Sequence, residues 1–129
     1  MDISFVIITA GHKPRHISRL LNSIKKQNIK NFESIIVGGT ADLKLDPFYS
    51  VKTIEKKEAA IKGELGVMRN AGCQQAQFDN IVILDDDLLL TESWYSNLLQ
   101  FDKEYDILTC QIRVPDGGRY WDHACYQSP

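Results

Sequence analysis

Cysteine is scarce in this 129-residue chain: Cys73, Cys110 and Cys125 are odd in number and none stands in a C-x-x-C spacing. That argues against a disulfide framework and against a zinc site. No apolar stretch approaches the roughly 18 residues that a membrane span needs. Met1-Asp2 leads straight into Ile3-Ser4-Phe5-Val6-Ile7-Ile8, without the basic region, apolar stretch and cleavage site of a signal peptide. A reduced, cytoplasmic setting is the resulting expectation. An excess of either charge is also missing, since 15 Lys and Arg face 17 Asp and Glu. The whole-chain charge of −2 therefore gives no argument for nucleic acid or an anionic membrane as partner, and any anion site must be local. No repeat, low-complexity segment or linker interrupts the chain. With 43% hydrophobic and 25% charged residues, positions 1–129 read as one globular domain.

What is present alternates between strand-like and helix-like segments, the pattern of a layered α/β/α domain with a mostly parallel central sheet. Ile3 to Ile8 is an almost continuous apolar run, suited to burial on both faces, and it breaks at Thr9-Ala10-Gly11. Pro14 suits the first turn of a helix, and Ile17, Leu20, Leu21 and Ile24 repeat at the spacing of one buried face up to about Gln27-Asn28. Phe32 to Val37 reads as a second strand closed by Gly38-Gly39-Thr40. A loop from Ala41 to Ser50 follows, and Val51 to Ile54 is a short strand. A helix is expected from Gly63, with Leu65, Met68, Gly72 and Ala76 on one face. Thr91 is a candidate cap for a helix turning Trp94, Leu98 and Phe101 inward, and Ile107 to Val114 reads as a further strand.

The most informative run is Ile81-Val82-Ile83-Leu84-Asp85-Asp86-Asp87, a buried-type strand ending in three carboxylates. Open α/β sheets place ligands beyond the carboxyl ends of their strands. Three adjacent acids repel one another, and a hard divalent cation with oxygen ligands, Mg²⁺ or Mn²⁺, relieves that most directly. Alternation along an extended strand end makes Asp85 and Asp87 a pair and turns Asp86 the other way. The ordinary alternative is a solvated turn or an acidic helix start. Leu88-Leu89-Leu90 on the far side set the triplet between apolar segments and argue against it. His12 and His16 have the spacing of two ligands on one helix, but Pro14 starts the helix between them and no H-E-x-x-H arrangement is present. His16 reads as a surface residue.

Together these segments resemble the nucleotide-sugar half of a GT-A glycosyltransferase of the family 2 group, over essentially the whole chain. The resemblance rests on Ser4-Phe5-Val6-Ile7-Ile8-Thr9, on Leu20-Leu21-Asn22-Ser23-Ile24, and on the run from Gln27 to Val37. Its most specific parts are Gly66-Val67-Met68-Arg69-Asn70-Ala71-Gly72 and the D-x-D signature at Asp85-Asp86-Asp87. It implies transfer of a sugar from a nucleoside-diphosphate sugar, with uridine the family-weighted base, to a hydroxyl of a glycan, lipid or other acceptor. It further implies Asp87 as the direct metal ligand and Asp85 toward the ribose or the metal's hydration shell, beside Asp86. Arg69 and Asn70 match the family's Arg-Asn near the donor, and Thr9, Ala10 and Gly11 occupy its nucleobase and ribose end. Lys62 is a candidate diphosphate contact, against a solvated charge in the basic neighbourhood of Lys52, Lys56 and Lys57. Gly38-Gly39 depart from the acidic pair that the family commonly carries after its second strand.

In that family the general base lies well downstream of D-x-D, so the chain is expected to be truncated, lacking most of the acceptor region. The segment from Val114 to His123 reads first as a surface turn packed by Tyr120 and Trp121; Asp122 and His123 in it are the candidates left for acid or base work, given hydrogen-bond reach of an acceptor hydroxyl. Two other readings stand beside the transferase: a non-catalytic GT-A-like module that binds nucleotide-sugar or a protein, and a phosphoacceptor receiver domain. The receiver reading needs acids after the first strand, where Thr9-Ala10-Gly11 stand instead. A sheet edge left open by truncation would favour a homodimer.

Overall fold

A computed structural model describes residues 1–101 and 103–118. The apolar run at the N-terminus forms strand β1 (Ile3–Thr9), and all seven of its residues are buried. It lies inside a four-stranded sheet beside β2 (Phe32–Gly38), β3 (Lys52–Glu55) and β4 (Asn80–Asp85), in the order β3-β2-β1-β4. Every pairing is parallel, so all the carboxyl ends emerge along one edge of the domain.

Side-chain alternation splits β1 between two cores. Ile3, Phe5 and Ile7 face helix α1 (Pro14–Lys25), whose Ile17, Leu20, Leu21 and Ile24 are the stripe read from the sequence. Val6 and Ile8 face the opposite layer with Ile35 and Val37, under helices α2 (Lys57–Lys62) and α3 (Leu65–Gln74). The α/β/α layering is therefore as expected.

Four segments differ from the sequence reading. The helix expected from Gly63 is two helices, because Gly63 takes the left-handed conformation (φ 69°) that ends α2 before α3 begins. The acidic strand stops at Asp85, leaving Asp86 and Asp87 in a turn. It is also an edge strand: Val82 and Leu84 pack toward α1, but Ile81 and Ile83 remain 39% and 44% exposed on the other face. The last helix, α4 (Trp94–Gln100), is preceded by Ser93, with no side-chain cap from Thr91. Trp94 and Leu98 pack on the core as expected, whereas Phe101 is 40% exposed and meets Tyr105 edge to face. No strand forms from Ile107 to Val114 among the described residues, and Ile107 is 86% exposed. Apolar composition does not make a strand without a hydrogen-bonding neighbour, and the outer edge of β4 pairs with none of the described segments.

A polar knot ties the amino-terminal end of the sheet. Ser4 is fully buried and donates to Glu33 at 2.7 Å, while Lys52 Nζ and the Gln77 N–H reach the same carboxylate at 2.7 and 2.6 Å. The Phe78 N–H closes the set onto Ser4 Oγ at 3.1 Å. One carboxylate thus joins β1, β2, β3 and the turn before β4. Burial pulls the Glu33 pKa up, but the hydrogen bonds from Lys52, Ser4 and Gln77 outweigh it and hold the carboxyl below its ordinary value of 4.5. A depressed folded-state pKa contributes stability above the unfolded value and loses it as pH falls through the folded one. The stability difference between wild type and Glu33→Gln, about 1–2 kcal/mol near neutrality, is accordingly expected to shrink on acidification below about pH 4.5. Urea titrations at stepped pH measure it, and a difference independent of pH would show that the charge is not what ties the knot.

Gly72 of α3 is set against the sheet so closely that a Cβ there would collide with Val6 and lie 3.1 Å from a Val37 methyl. Gly66, in the same helix, has open space. Alanine is the better helix former by up to about 1 kcal/mol, yet Gly72→Ala is expected to lose about 1–2 kcal/mol to overpacking, while Gly66→Ala loses nothing. Equal unfolding midpoints for the two variants would contradict the close helix-sheet contact.

Candidate functional site

The register puts three loop starts side by side. Ile8 stands opposite Asp85 across β1 and β4, and Thr9 opposite Gly38 across β1 and β2. Gly38 (φ 137°) runs so close to β1 that any Cβ would overlap the Thr9 carbonyl, and the Gly39 N–H donates to that same oxygen at 3.1 Å. A Cβ at Gly11 would likewise meet the Gly39 carbonyl. Gly38-Gly39 thus have a definite local cause: the loops after β1 and β2 touch backbone to backbone, where no side chain fits.

Against this platform the three acids are held by three different elements. Thr9 Oγ1 donates to Asp86 Oδ2 at 2.7 Å and accepts from the Gly11 N–H at 2.9 Å, so one buried hydroxyl fixes both the loop and the acid. Lys13, just ahead of α1, reaches Asp87 Oδ2 at 3.2 Å. Arg69 of α3 approaches Asp85 Oδ1 at 4.0 Å. Because β4 stops at Asp85, strand alternation does not extend to Asp87, and the pairing expected from it has no backbone support. Among the described residues, no group of three or more His, Cys, Asp or Glu side chains is gathered as a metal site.

The chain after the acids is anchored as firmly. Leu90 N–H donates to Ser23 Oγ at 3.1 Å, and the buried Gln27 amide reaches the Thr91 carbonyl at 2.8 Å and accepts from the Tyr95 N–H at 3.0 Å. Helix α1 and its flanks therefore hold the acidic turn and the chain that follows it: Lys13 ahead of the helix, Ser23 near its end and Gln27 just beyond it.

The other sequence candidates fall at varied distances from this cluster. Ala10 and Gly11 belong to it through the loop after β1. Arg69 has its guanidinium at Asp85 while its Nε is buried without a hydrogen-bond partner. Asn70 is exposed on the next position of α3. Lys62 is exposed in the last turn of α2, and no hydrogen bond or ion pair joins it to the acids among the described residues. His12 and His16 are both exposed. Asp122 and His123, with Tyr120 and Trp121, lie outside the described residues.

Two participants were missed by the sequence reading. Lys13 is one; its signal was its place between β1 and the proline that starts α1. Glu55 is the other, an acid at a strand's carboxyl end like Asp85. It accepts from the Thr40 N–H at 2.8 Å and the Thr40 hydroxyl at 2.9 Å. Burial raises its pKa, but the Thr40 hydroxyl and amide and the Ala41 amide more than offset this and keep it below the ordinary range. It closes the loop after β2 where the chain carries no acid pair.

Comparison with known proteins bears on this edge of the domain. The model of the family described as Glycosyl transferase family 2 matches residues 4–128. No curated protein gives a significant match. Among solved structures, the chain is similar to the crystal structure of S. aureus TarS 1-349, at 22% identity and a TM-score of 0.60. That likeness covers 78% of this chain and 32% of the other, so the present chain spans about a third of the structure it resembles.

Proposed function

Because the chain belongs to glycosyl transferase family 2, we propose that its carboxyl edge binds a nucleoside-diphosphate sugar, a UDP-sugar by family weight, for transfer to a hydroxyl of a glycan or lipid acceptor. The observation that carries the reading is the meeting of Asp85, Asp86 and Asp87 with Thr9, Lys13 and Arg69 at the ends of parallel strands.

The donor set suits a divalent cation. Asp85 and Asp87 are hard oxygen ligands with side chains 60% and 49% exposed, each engaged at one oxygen by a surface cation. Such exposed pairs are worth about 0–1 kcal/mol, so exchanging them for Mn²⁺ or Mg²⁺ carrying the substrate's phosphates costs little. When bound, the metal supplies Lewis-acid stabilisation of the charge that builds on the departing diphosphate. The chain's own residues do the rest. Thr9, Ala10 and Gly11 offer the nucleoside a rigid backbone shelf, and Asp86 is fixed beside it by the Thr9 hydroxyl. Arg69, released from Asp85, and Lys62 are cations for the diphosphate. Asn70 sits on the exposed side of α3 near Arg69. Asp122 is carried as the candidate for acceptor deprotonation.

Among the described residues, no helix is long and apolar enough to cross a membrane. Cys73 and Cys110 are free thiols, which suits the cytoplasm as the working compartment. The open β4 edge, with Ile81 and Ile83 exposed, also supports a homodimer. Light scattering on a size-exclusion column is expected to give the mass of two chains, and a monomer at every concentration rejects that part.

Calorimetric titration of UDP and UDP-sugars tests the donor site, first with Mn²⁺ and then with chelator. Asp87→Ala is expected to keep the fold, since it removes only an exposed pair, and to weaken metal-dependent binding by at least the roughly 10–100-fold seen for residues that merely support metal ligands. Unchanged affinity in that variant removes the acidic turn from the site.

A further inference from the structure

The near-neutral total conceals a sharp separation of charge. From Ile3 to Phe32 the chain carries six of its fifteen Lys and Arg and none of its seventeen Asp and Glu. The remainder holds nine bases against all seventeen acids. Most of the basic segment is α1 and its flanks, so the bias becomes a spatial feature: one strongly cationic face on an otherwise acidic protein.

Within α1 the cations are not scattered. At about 100° per residue, Arg15, Arg19 and Lys26 fall within about 40° of one another, opposite the buried stripe of Ile17, Leu20, Leu21 and Ile24. All three are exposed, as is Asn22 between them. They form a ridge about 16 Å long at 1.5 Å per residue, along the crest that points straight away from the core. Among the described residues no ion pair engages any of the three. Lys25 belongs to another face, where its ammonium sits 3.1 Å over the Phe48 ring.

Helix stability does not account for the ridge. Lys26 at the carboxyl end suits the helix dipole, but Arg15 stands in the first turn, where a cation is unfavourable and where α1 has no acid at all. Beside the ridge runs a shallow groove of about 250 Å³ bounded by Arg19, Lys26, Leu89, Leu90 and Glu92. Its Leu89 is 50% exposed.

We propose that this face of α1 docks the protein on an anionic phospholipid surface, with Leu89 entering the headgroup layer beside the cationic ridge. Three cations spread along a convex crest cannot converge on one small anion, but they can all meet a plane of negative charge at once. The adjoining exposed leucine distinguishes a lipid surface from a soluble polyanion, which has nothing apolar to offer it. The proposal is independent of the donor site, because it needs neither the acids nor a nucleotide.

The test is co-sedimentation with vesicles of phosphatidylcholine alone and of phosphatidylcholine containing phosphatidylglycerol. Binding is expected only to the anionic vesicles, weakening as salt rises toward and beyond about 0.15 M. The variant carrying Arg15→Glu, Arg19→Glu and Lys26→Glu is expected to partition about a hundredfold less, at roughly fivefold per charge before counting repulsion. Lys103→Glu, away from the ridge, should bind as wild type does. Circular dichroism should show the triple variant folded, since Arg15→Glu suits the helix start, and a neutral Gln triple serves if it is not. Equal binding to both vesicle types, no binding at low salt, or a triple variant that binds like wild type overturns the proposal. Retention on soluble polyphosphate without vesicle binding would assign the ridge to an anionic polymer and overturn it as well.

Discussion

β1 is hydrogen-bonded on both sides and buried on both faces, and the placement of every group at the carboxyl edge depends on that double burial. Its odd-numbered residues serve the core under α1 and its even-numbered ones the core under α2 and α3. The same parity runs through the neighbours: Val82 and Leu84 in β4 must face α1, which leaves Asp85 on the α3 side at the strand end. A one-residue slip of β4 would exchange Val82 and Leu84 for Ile81 and Ile83 on the α1 face, so apolar burial alone separates the two registers weakly. The hydrogen bond from Thr9 to Asp86, about 1.5–3 kcal/mol for a bond to a charged group, belongs to the observed register. Core packing therefore holds the strand in the sheet, and the polar contact at its end helps to select the register.

The three acids show how like charges are held side by side. Each carboxylate is assigned its own counter-group from a separate element: Arg69 from α3, Thr9 from β1, Lys13 from the start of α1. The middle acid has the short, part-buried bond, and the outer two have long, exposed ion pairs. The strengths differ accordingly, with a hydrogen bond to a charged group outweighing an exposed ion pair by about a kcal/mol or more. Asp86 is thus the most firmly held of the three.

Much of this was legible in the sequence because it follows from periodicity. The buried run of β1, the i, i+3, i+4, i+7 stripe of α1, the short strand β3 and the small-residue face of α3 all came from patterns of apolar residues at fixed spacing. The acids were legible for a related reason, since an apolar run that stops at carboxylates marks a strand end. What periodicity does not carry is partnership. Ile107 to Val114 has the composition of a strand, but pairing needs a neighbour, and none is supplied within the described residues. Gly63 stands where the apolar spacing starts a helix, but its left-handed backbone ends one. Lys13 and Glu55 gained their roles only when parallel pairing carried the ends of β1, β3 and β4 to one edge. Gly38-Gly39, which in sequence looked like the loss of an acidic pair, proved to be the condition for two loops to touch.

Net charge is the coarsest of these sequence quantities, and here it conceals the arrangement. Among the described residues, the acids of the turn meet the basic segment at the Lys13 to Asp87 pair, 3.2 Å long, just ahead of α1. From there the helix carries its cations away from the site, along a face about 16 Å long. Electrostatic influence in salt water fades over about 8–10 Å, so the far end of the ridge scarcely feels the acids, while Arg15, two residues from Lys13, stands near them. An even interspersion of the same fifteen bases and seventeen acids would have the same total charge and neither the acidic turn nor the cationic ridge.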